Sequence, residues 1–425
     1  MITLALFIVT LFLGMPIVFI LAVGTVSFLV EMDVAILLDT TPIQLFKSVE
    51  KNGLLAIPMF MLVGELMNRG GITGRLINLT DLFFGRFRGG LAYVNLVTNT
   101  MASAILGSAT AQIAVMTRTM VPEMVARGYD RAFSTAVSVA GGMLGPVIPP
   151  SMLMIIYGVV SYQSVAALFI AGVFPGMVIA GGFAVVIVIL GFFYDYPDDV
   201  DRPSIPFFST LFSGLLPLCI PGAIIGGVIS GVMTPTESGA LASLLALFFG
   251  VFLYRKIKVS DIGSILYEVA LNSATVVSLI GMATVFGWAL AFEGVPDMLA
   301  ESIKGFSNSP HTFLLLVSFV IIVLGMFLDG LGVMIVIVPI LLPVATEFGI
   351  DLVHFGVVVA ISTLVGLLTP PVGPGLYVAM EATGVRMAPL FRAVLPFLLS
   401  MLISLVIISL VPALSVWLPR TLDLY

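Results

Sequence analysis

Residues 144–158 read LGPVIPPSMLMIIYG, with three prolines and two glycines inside an otherwise apolar run. A proline in a helix interior removes a backbone hydrogen bond and clashes with the preceding turn, at about 3 kcal/mol or more. In a bilayer, the carbonyl groups that it frees have no water to bind. The stretch is therefore either a loop between elements or a helix that is broken at membrane depth for a purpose.

Composition places the chain among membrane proteins. Of its 425 residues, 60% are hydrophobic and 9% are charged, whereas a soluble domain carries about 25% charged residues. The chain has no basic stripe, which predicts no nucleic-acid partner. The single cysteine, Cys219, allows no disulfide framework, and no P-loop motif for ATP occurs. We expect an all-α polytopic membrane protein.

Hydropathy and charge divide the chain into apolar segments near 2–30, 54–68, 91–127, 132–160, 164–194, 207–230, 237–254, 265–293, 312–346, 353–380 and 388–418. A spanning helix needs about 20 apolar residues. Two segments, 91–127 and 312–346, are too long for one pass and carry small or polar residues midway. Short amphipathic pieces at 72–88 and 296–306 precede them. Residues 2–30 are compatible with one long tilted helix or with two short ones.

An internal repeat relates the two halves of the chain. At a shift of 221 residues, four prolines, two glycines and an aspartate coincide: Pro122 with Pro343, Gly128 with Gly349, Asp130 with Asp351, Gly145 with Gly366, Pro149 with Pro370, Pro150 with Pro371, and Pro175 with Pro396. GPVIPPS (145–151) thus has a twin in GLLTPPV (366–372). Proline- and glycine-interrupted segments at matching positions of two halves are typical of duplicated transporters.

Charged flanks predict that the two repeats have opposite orientation. Arg86, Arg88, Arg127 and Arg131 flank 91–127, whereas Lys304, His311, Glu347 and Asp351 flank 312–346. Because cytoplasmic loops are rich in Lys and Arg, we expect two re-entrant hairpins that enter from opposite faces. The predicted first repeat, 1–206, contains hairpin 91–127 and broken helix 132–160. The second, 207–425, contains hairpin 312–346 and broken helix 353–380.

The broken helices and hairpin tips predict two symmetry-related cation sites. Freed carbonyls at membrane depth are hard oxygen ligands suited to Na⁺, and hydroxyls can supplement them. The first predicted site uses Ser103, Gly145 and Ile148 or Pro149, with Ser108 as a further hydroxyl. The second uses Gly325, Gly366 and Thr369, with Val372 contributing a carbonyl. The alternative is that these glycines and prolines only kink tightly packed helices.

Two ionisable residues are candidates for substrate contact. Asp329 lies in the apolar second hairpin, where a charge costs about 2.5–3.5 kcal/mol on insertion scales. The alternative is a tip residue that faces water. Arg118 is the only cation well inside the first hairpin, and it can bind a substrate carboxylate, pair with a helix end or extend to the interface.

Other polar residues have structural explanations. Thr234, Pro235 and Glu237 have the spacing of a capping box that begins a helix. Glu65, Glu293 and His354 are expected at helix ends.

Several motifs together resemble the large membrane subunit of tripartite ATP-independent periplasmic (TRAP) transporters. They are IPMFMLVGELM (57–67), GSATAQ (107–112), MVPEMVARGYD (120–130), LGPVIPPSMLMIIYG, MTPTESGA and GLLTPPVGPGLYV, in this order along nearly the whole chain. The resemblance implies Na⁺-coupled uptake of an organic acid by an elevator mechanism, in the bacterial inner membrane. It also implies two partners: a periplasmic substrate-binding protein and a small four-helix membrane subunit. The segment PIQLFKSVEKNGLLAIPMF is similar to the sialic acid branch; other members carry C4-dicarboxylates. Since Met1 opens on the large-subunit pattern, the small subunit is expected as a separate chain in the surrounding lipid.

Alternative functions remain at this point. A stand-alone Na⁺- or H⁺-coupled organic anion transporter would share the repeat but need no partner. An intramembrane enzyme needs paired catalytic groups at membrane depth, such as two aspartates or Ser–His, and the sequence shows none, so no enzymatic activity is expected. A channel suits the paired broken helices less well than alternating access does.

Overall fold

A computed structural model describes residues 2–50, 52–87, 89–193, 196–197, 206–305 and 308–424. Met1, Arg88 and most of the polar stretch that precedes the predicted repeat boundary at 206 lie outside them. The helices are Ile2–Phe12 (α1), Ile17–Glu31 (α2), Thr41–Val49 (α3), Ala56–Arg69 (α4), Ile72–Phe84 (α5), Gly90–Leu106 (α6), Ala109–Ala126 (α7), Arg131–Gly142 (α8), Met152–Ser161 (α9), Val165–Ala171 (α10), Val173–Phe193 (α11), Phe207–Leu215 (α12), Cys219–Ile229 (α13), Pro235–Phe248 (α14), Val259–Phe292 (α15), Val295–Lys304 (α16), Pro310–Gly325 (α17), Gly330–Glu347 (α18), Leu352–Leu367 (α19), Pro374–Thr383 (α20), Met387–Leu410 (α21) and Ala413–Thr421 (α22). Within the described ranges the regular structure is entirely helical.

Six helical stretches in the described part of the chain are long and apolar enough to cross a membrane: Val165–Phe193, Phe207–Ile229, Pro235–Leu253, Val259–Phe292, Gly330–Glu347 and Met387–Leu410. Shorter apolar helices, including α6, α9, α17 and α19, accompany them. This confirms the predicted all-α polytopic membrane fold.

The N-terminal apolar segment forms two helices, which resolves the choice that the sequence left open. Gly14 adopts a positive φ of 70° between α1 and α2. The Glu31 carboxylate at the end of α2 accepts hydrogen bonds from the backbone N–H groups of Ile2 (3.0 Å) and Thr3 (2.8 Å). The two helices therefore run antiparallel.

Both proline segments interrupt helices, as the sequence predicts. In the first half, Asp130 caps α8, the chain leaves helical geometry after Gly142, and the Ser151 hydroxyl caps α9 by accepting from Met154 N–H at 3.3 Å. In the second half, Asp351 caps α19, and the chain resumes as α20 after Gly373. The Pro149–Pro150 and Pro370–Pro371 peptide bonds are both cis.

Both overlong segments fold as helical hairpins. The first turns between α6 and α7 at Gly107, whose φ of 59° favours glycine. The second turns between α17 and α18, and Asp329 caps α18. The turns lie midway along the two segments, where the sequence carries small and polar residues.

The two halves pack across each other. The second arm of each hairpin lies against the second half of the opposite broken helix, α7 against α20 and α18 against α9. Glycines allow close approach: a Cβ on Gly375 of α20 would lie 3.2 Å from Ile113 of α7. The Tyr157 hydroxyl of α9 donates to the Leu352 carbonyl at the start of α19. The hairpins and broken helices therefore form one body.

A second set of helices flanks this body. The 34-residue helix α15 packs against α2, α3 and α4 on one side and against α18 on the other. Arg69 of α4 pairs with Glu65 and with Glu268 of α15, which joins these two helices. Thr234 and Glu237 form the predicted capping box at the start of α14. We call α2, α3, α4, α14 and α15 the scaffold helices.

The closest backbone approach in the second half generates a stability prediction. A Cβ on Gly366 of α19 would lie 2.6 Å from the Ile322 carbonyl oxygen and 2.7 Å from the Cα of Gly325 in α17. We expect Gly366→Ala to lower the free energy of unfolding by about 1–3 kcal/mol, because backbone atoms must move apart. The measurement is the thermal unfolding midpoint of the purified chain in detergent.

The matched control is Gly226→Ala in α13, where a Cβ would meet no atom within 4 Å. We expect this variant to unfold at the parental temperature or above it, since alanine favours the helix. Equal midpoints for the two variants would contradict the packing argument.

Candidate functional site

The two hairpins and the scaffold helices line a partly polar cavity of about 390 Å³, in which apolar residues make up the larger part of the wall. Ser108, Thr110 and Ala111 line it from the tip of the first hairpin, and Leu331 lines it from the second. Other lining residues come from α4 and α15, among them Glu65, Asn68, Glu268, Asn272 and Thr275. The cavity thus combines hydroxyl, amide and carboxylate groups next to the point where the broken helices begin.

The residues of the first predicted cation site come together around one glutamine. Ser103 is fully buried, and its Oγ lies 3.4 Å from Gln112 Oε1. A Cβ on Gly145 would lie 2.7 Å from the same Oε1 and 3.5 Å from the Ser108 carbonyl carbon. Ser103, Ser108 and Gly145 therefore surround a single point between the hairpin tip and the broken helix.

The two remaining members of this predicted set lie on the broken segment itself. Pro149 is buried, and Ile148 is partly buried with its side chain against Gly176 of α11. Only the backbone carbonyls of these residues are suited to cation binding. The cation-binding role of all five residues remains a prediction.

In the second half, Gly325 and Gly366 are in direct backbone contact, with a Cβ on Gly325 only 3.1 Å from the Cα of Gly366. Thr369 follows one turn later, and its hydroxyl donates to the Val365 carbonyl at 2.7 Å. That bond leaves the hydroxyl lone pairs open to a cation. Val372, which is partly buried, precedes the start of α20. The structure therefore brings Gly325, Gly366 and Thr369 together, and their cation role also remains a prediction.

The same backbone link ties each hairpin tip to its own broken helix. Met152 N–H donates to the Gly107 carbonyl at 3.3 Å, and Gly373 N–H donates to the Met326 carbonyl at 2.9 Å. Gly373 lies 221 positions after Met152. The two halves thus share a tip-to-helix hydrogen bond as well as a sequence pattern.

The two predicted substrate residues lie in different places. Asp329 is exposed at the tip of the second hairpin, where its carboxylate accepts from Leu331 N–H at 3.3 Å. Arg118 is exposed ten residues after Ser108, about 15 Å along α7. It lines a separate cavity with Thr383 at the end of α20. The structure places Asp329, but not Arg118, beside the tips.

The sequence analysis missed a chain of buried amides next to Ser103. Asn95, Asn99 and Gln112 are completely buried and hydrogen-bonded to one another. The available signal was the four-residue spacing of Asn95 and Asn99 in an apolar helix. The expected helix-end residues are confirmed: Glu65 lies in the last turns of α4, Glu293 caps the C-terminus of α15, and His354 is in the first turn of α19.

Residues 4–414 match the family model described as the DctM component of tripartite ATP-independent periplasmic transporters. The sialic acid TRAP transporter large permease protein SiaM of Vibrio cholerae is 35% identical, with 96% of each chain covered. The C4-dicarboxylate TRAP transporter large permease protein DctM of Rhodobacter capsulatus is 34% identical, over 97% of this chain and 96% of that protein. The solved YdaH transporter of Alcanivorax borkumensis superposes with a TM-score of 0.64 at 15% identity, covering 90% of this chain and 89% of its own. That likeness concerns the fold alone.

The cavity predicts a labelling difference between two alanines of the first hairpin. Ala111 is exposed and lines the cavity, whereas Ala102 is 1% exposed. In a Cys219→Ser background, we expect a water-soluble maleimide to modify Ala111→Cys and to leave Ala102→Cys unmodified, because the reagent needs a hydrated thiolate. Mass spectrometry of the intact protein measures the modified fraction.

The two variants carry the same substitution in the same hairpin, so each controls for the other. Equal modification of both positions would show that the tip is open on all sides. Protection of both would show that the cavity is closed to water.

Proposed function

The chain belongs to the DctM component family of tripartite ATP-independent periplasmic transporters, and we propose that it carries an organic acid across the membrane together with Na⁺. The observation that carries this proposal is the meeting of two hairpin tips and the first broken helix, at Met152, beside one cavity. Non-helical backbone at membrane depth is tolerated only where it is buried in protein or lines a cavity. The relatives named above are permeases, and we propose no enzymatic activity.

We propose that two or more Na⁺ ions bind at the tips. Ser103, Ser108, Gly145, Ile148 and Pro149 supply the oxygens of the first site, and Gly325, Gly366, Thr369 and Val372 those of the second. These groups are neutral hydroxyls and backbone carbonyls, the donor type that broken transporter helices offer to Na⁺. In the described residues no three His, Cys, Asp or Glu side chains converge on one point. The donor set therefore suits a monovalent cation better than a transition metal.

The cavity offers hydrogen bonds, which suit a substrate with many hydroxyl groups. Ser108, Thr110, Asn68, Asn272 and Thr275 offer both donors and acceptors. The carboxylates of Glu65 and Glu268, which pair with Arg69, also line it and would repel a second substrate carboxylate. Asp329, at the tip of the second hairpin outside this lining, remains a proposed contact for substrate hydroxyls. We therefore propose sialic acid ahead of a C4-dicarboxylate, although the two named relatives have nearly the same identity to this chain. Arg118, in its separate cavity, remains a second proposed contact for a substrate on its path.

We propose an elevator mechanism for the hairpin body. Two cavities lie between the hairpins and α15, on either side of the direct contact of α15 with α18 at Gly287 and Pro339. The polar one lies beside Glu268 and Asn272, and an apolar one of about 510 Å³ lies beside Phe286 and Leu290. A boundary with such gaps offers less resistance to sliding than a close-packed core does. The basic loop at Arg255–Lys258 marks the cytoplasmic side, and Glu268 lies in the half of α15 nearer to that loop.

The proposed partners follow from the tripartite family. A periplasmic substrate-binding protein delivers the organic acid, and a small four-helix membrane subunit binds this chain within the lipid of the bacterial inner membrane. Phe208 and Phe212 of α12 and Phe248 of α14 are exposed apolar residues that can contact lipid or a helical partner.

Reconstituted uptake tests the tripartite assignment. Proteoliposomes with this chain and its small membrane partner would be assayed with and without a Na⁺ gradient and a purified binding protein, using labelled sialic acid and labelled succinate. We expect uptake of sialic acid only when both the gradient and the binding protein are present. Uptake that is indifferent to the binding protein would support the stand-alone transporter instead, and preference for succinate would overturn the substrate.

Substitutions at the two tips test the cation sites separately. We expect Ser103→Ala and Thr369→Ala each to raise the Na⁺ concentration for half-maximal uptake by several-fold, since each loses one ligand oxygen. Ser404→Ala is the control, because its buried hydroxyl bonds only to the Ser400 carbonyl of its own helix. Unchanged Na⁺ activation in both tip variants would show that these hydroxyls are not Na⁺ ligands.

A further inference from the structure

The first half contains a buried chain of amide hydrogen bonds that ends at the predicted cation site. Gln112 Nε2 donates to the Asn99 carbonyl oxygen (2.7 Å) and to Asn99 Oδ1 (3.0 Å). Asn99 Nδ2 donates to Asn95 Oδ1 (2.8 Å), and Asn95 Nδ2 donates to Ser138 Oγ (2.7 Å). Ser138 in turn donates to the Ser134 carbonyl at 3.1 Å.

Backbone acceptors fix the direction of this chain. Gln112 Nε2 lies within hydrogen-bond distance of two backbone carbonyls, those of Asn99 and Gly141 (3.3 Å). Asn99 Nδ2 likewise lies 3.0 Å from the Asn95 carbonyl. Turning either amide over would place its oxygen against these carbonyls, which only accept hydrogen bonds. The amide N–H groups of Gln112 and Asn99 therefore point towards these carbonyls, and Gln112 Nε2 also lies 3.2 Å from Ser103 Oγ.

This direction leaves Gln112 Oε1 without a good donor. Among the described residues its one hydrogen-bond neighbour is Ser103 Oγ at 3.4 Å, and the Ser103 hydroxyl already donates to the Asn99 carbonyl at 2.8 Å. A buried amide oxygen without a donor is unfavourable. Because hydrogen bonds in series polarise one another, donation by Nε2 also increases the negative charge on Oε1.

The second half has no counterpart of this chain. The turn of the second hairpin is two residues longer, since α6 ends at Leu106 and α17 at Gly325, so the first arms align at a shift of 219 residues and the second arms at 221. The residues that correspond to Asn95, Asn99, Ser103, Gln112 and Ser138 are then Leu314, Ser318, Ile322, Val333 and Val359. Val333, in the place of Gln112, lines the apolar cavity between the second hairpin and the scaffold helices. The polar chain is thus a special feature of the first site.

We propose that Gln112 Oε1 is a cation ligand of the first site, and that it makes this site bind Na⁺ more tightly than its twin. The oxygen faces Gly145, at the point that Ser103 and Ser108 also surround. A cation there would satisfy this oxygen better than its one long hydrogen bond, 3.4 Å from Ser103 Oγ, does. The inference rests on the proposed Na⁺ coupling. It adds Gln112 to the ligands of the first site and predicts a higher Na⁺ affinity there than at the second.

The test measures Na⁺-dependent thermal stabilisation of the purified full chain, with choline chloride keeping the ionic strength constant. Since a ligand that binds the folded state raises its stability, the Na⁺ concentration that gives half of the effect reports the affinity. We expect Gln112→Leu to raise this concentration by about tenfold or more, because the site loses one ligand oxygen.

Asn95→Leu is the matched control. It breaks the same buried chain at its far end but leaves Gln112 Oε1 in place, so we expect a change of no more than about twofold in the Na⁺ midpoint. Should Gln112→Leu fail to fold, Gln112→Met decides, because methionine has an unbranched side chain of similar length without the amide oxygen. A purely structural glutamine, or one whose oxygen binds only a water, predicts no greater loss of Na⁺ affinity than in Asn95→Leu.

The outcomes separate two failures. If the unsubstituted chain shows no stabilisation by Na⁺, the proposed coupling and this inference both fall. If it is stabilised by Na⁺ and Gln112→Leu behaves like Asn95→Leu, only the role of Gln112 is overturned.

Discussion

The fold depends on one constraint: inside a bilayer, backbone N–H and C=O groups must be satisfied within the protein. Breaking two helices with Pro-Pro pairs creates groups that ordinary spanning helices do not have. The structure answers with two hairpins whose tips reach the breaks, so that Met152 and Gly373 each donate to a tip carbonyl. We propose that Gly145, Ile148 and Pro149 supply carbonyl oxygens to a cation at the first break.

The same constraint explains why the halves interlock. The turn of a re-entrant hairpin places non-helical backbone at membrane depth, where lipid cannot satisfy its polar groups. The hairpin must therefore pack against protein. Each half provides that surface for the other, α20 for α7 and α9 for α18. Closely spaced glycines, such as Gly325 and Gly366, bring the backbones near enough for the tips to meet the breaks.

Much of this architecture could be predicted from the sequence, because hydropathy shows the length of each apolar segment and prolines show where a helix is interrupted. The hairpins, the broken helices and the capping box at Thr234 follow from such local signals. The amide chain through Asn99 and Gln112 could not be found in the same way. The comparison of the repeats used only residues that are identical in both halves, and these amides occur in one half. Nor does hydropathy show that Arg118 lies about 15 Å along its helix from the tip, because the tip position depends on where the turn forms.

The links between tips and breaks have a consequence for how the duplicated gene could diverge. Both are bonds between main-chain atoms, from Met152 to Gly107 and from Gly373 to Met326. Main-chain atoms are the same in every residue other than proline, so substitutions that keep the backbone path leave these bonds intact. The side chains around them were thus free to specialise, and one copy became rich in amides while the other became apolar. The symmetry of the two repeats is therefore preserved in backbone geometry, although few residues are still identical between them.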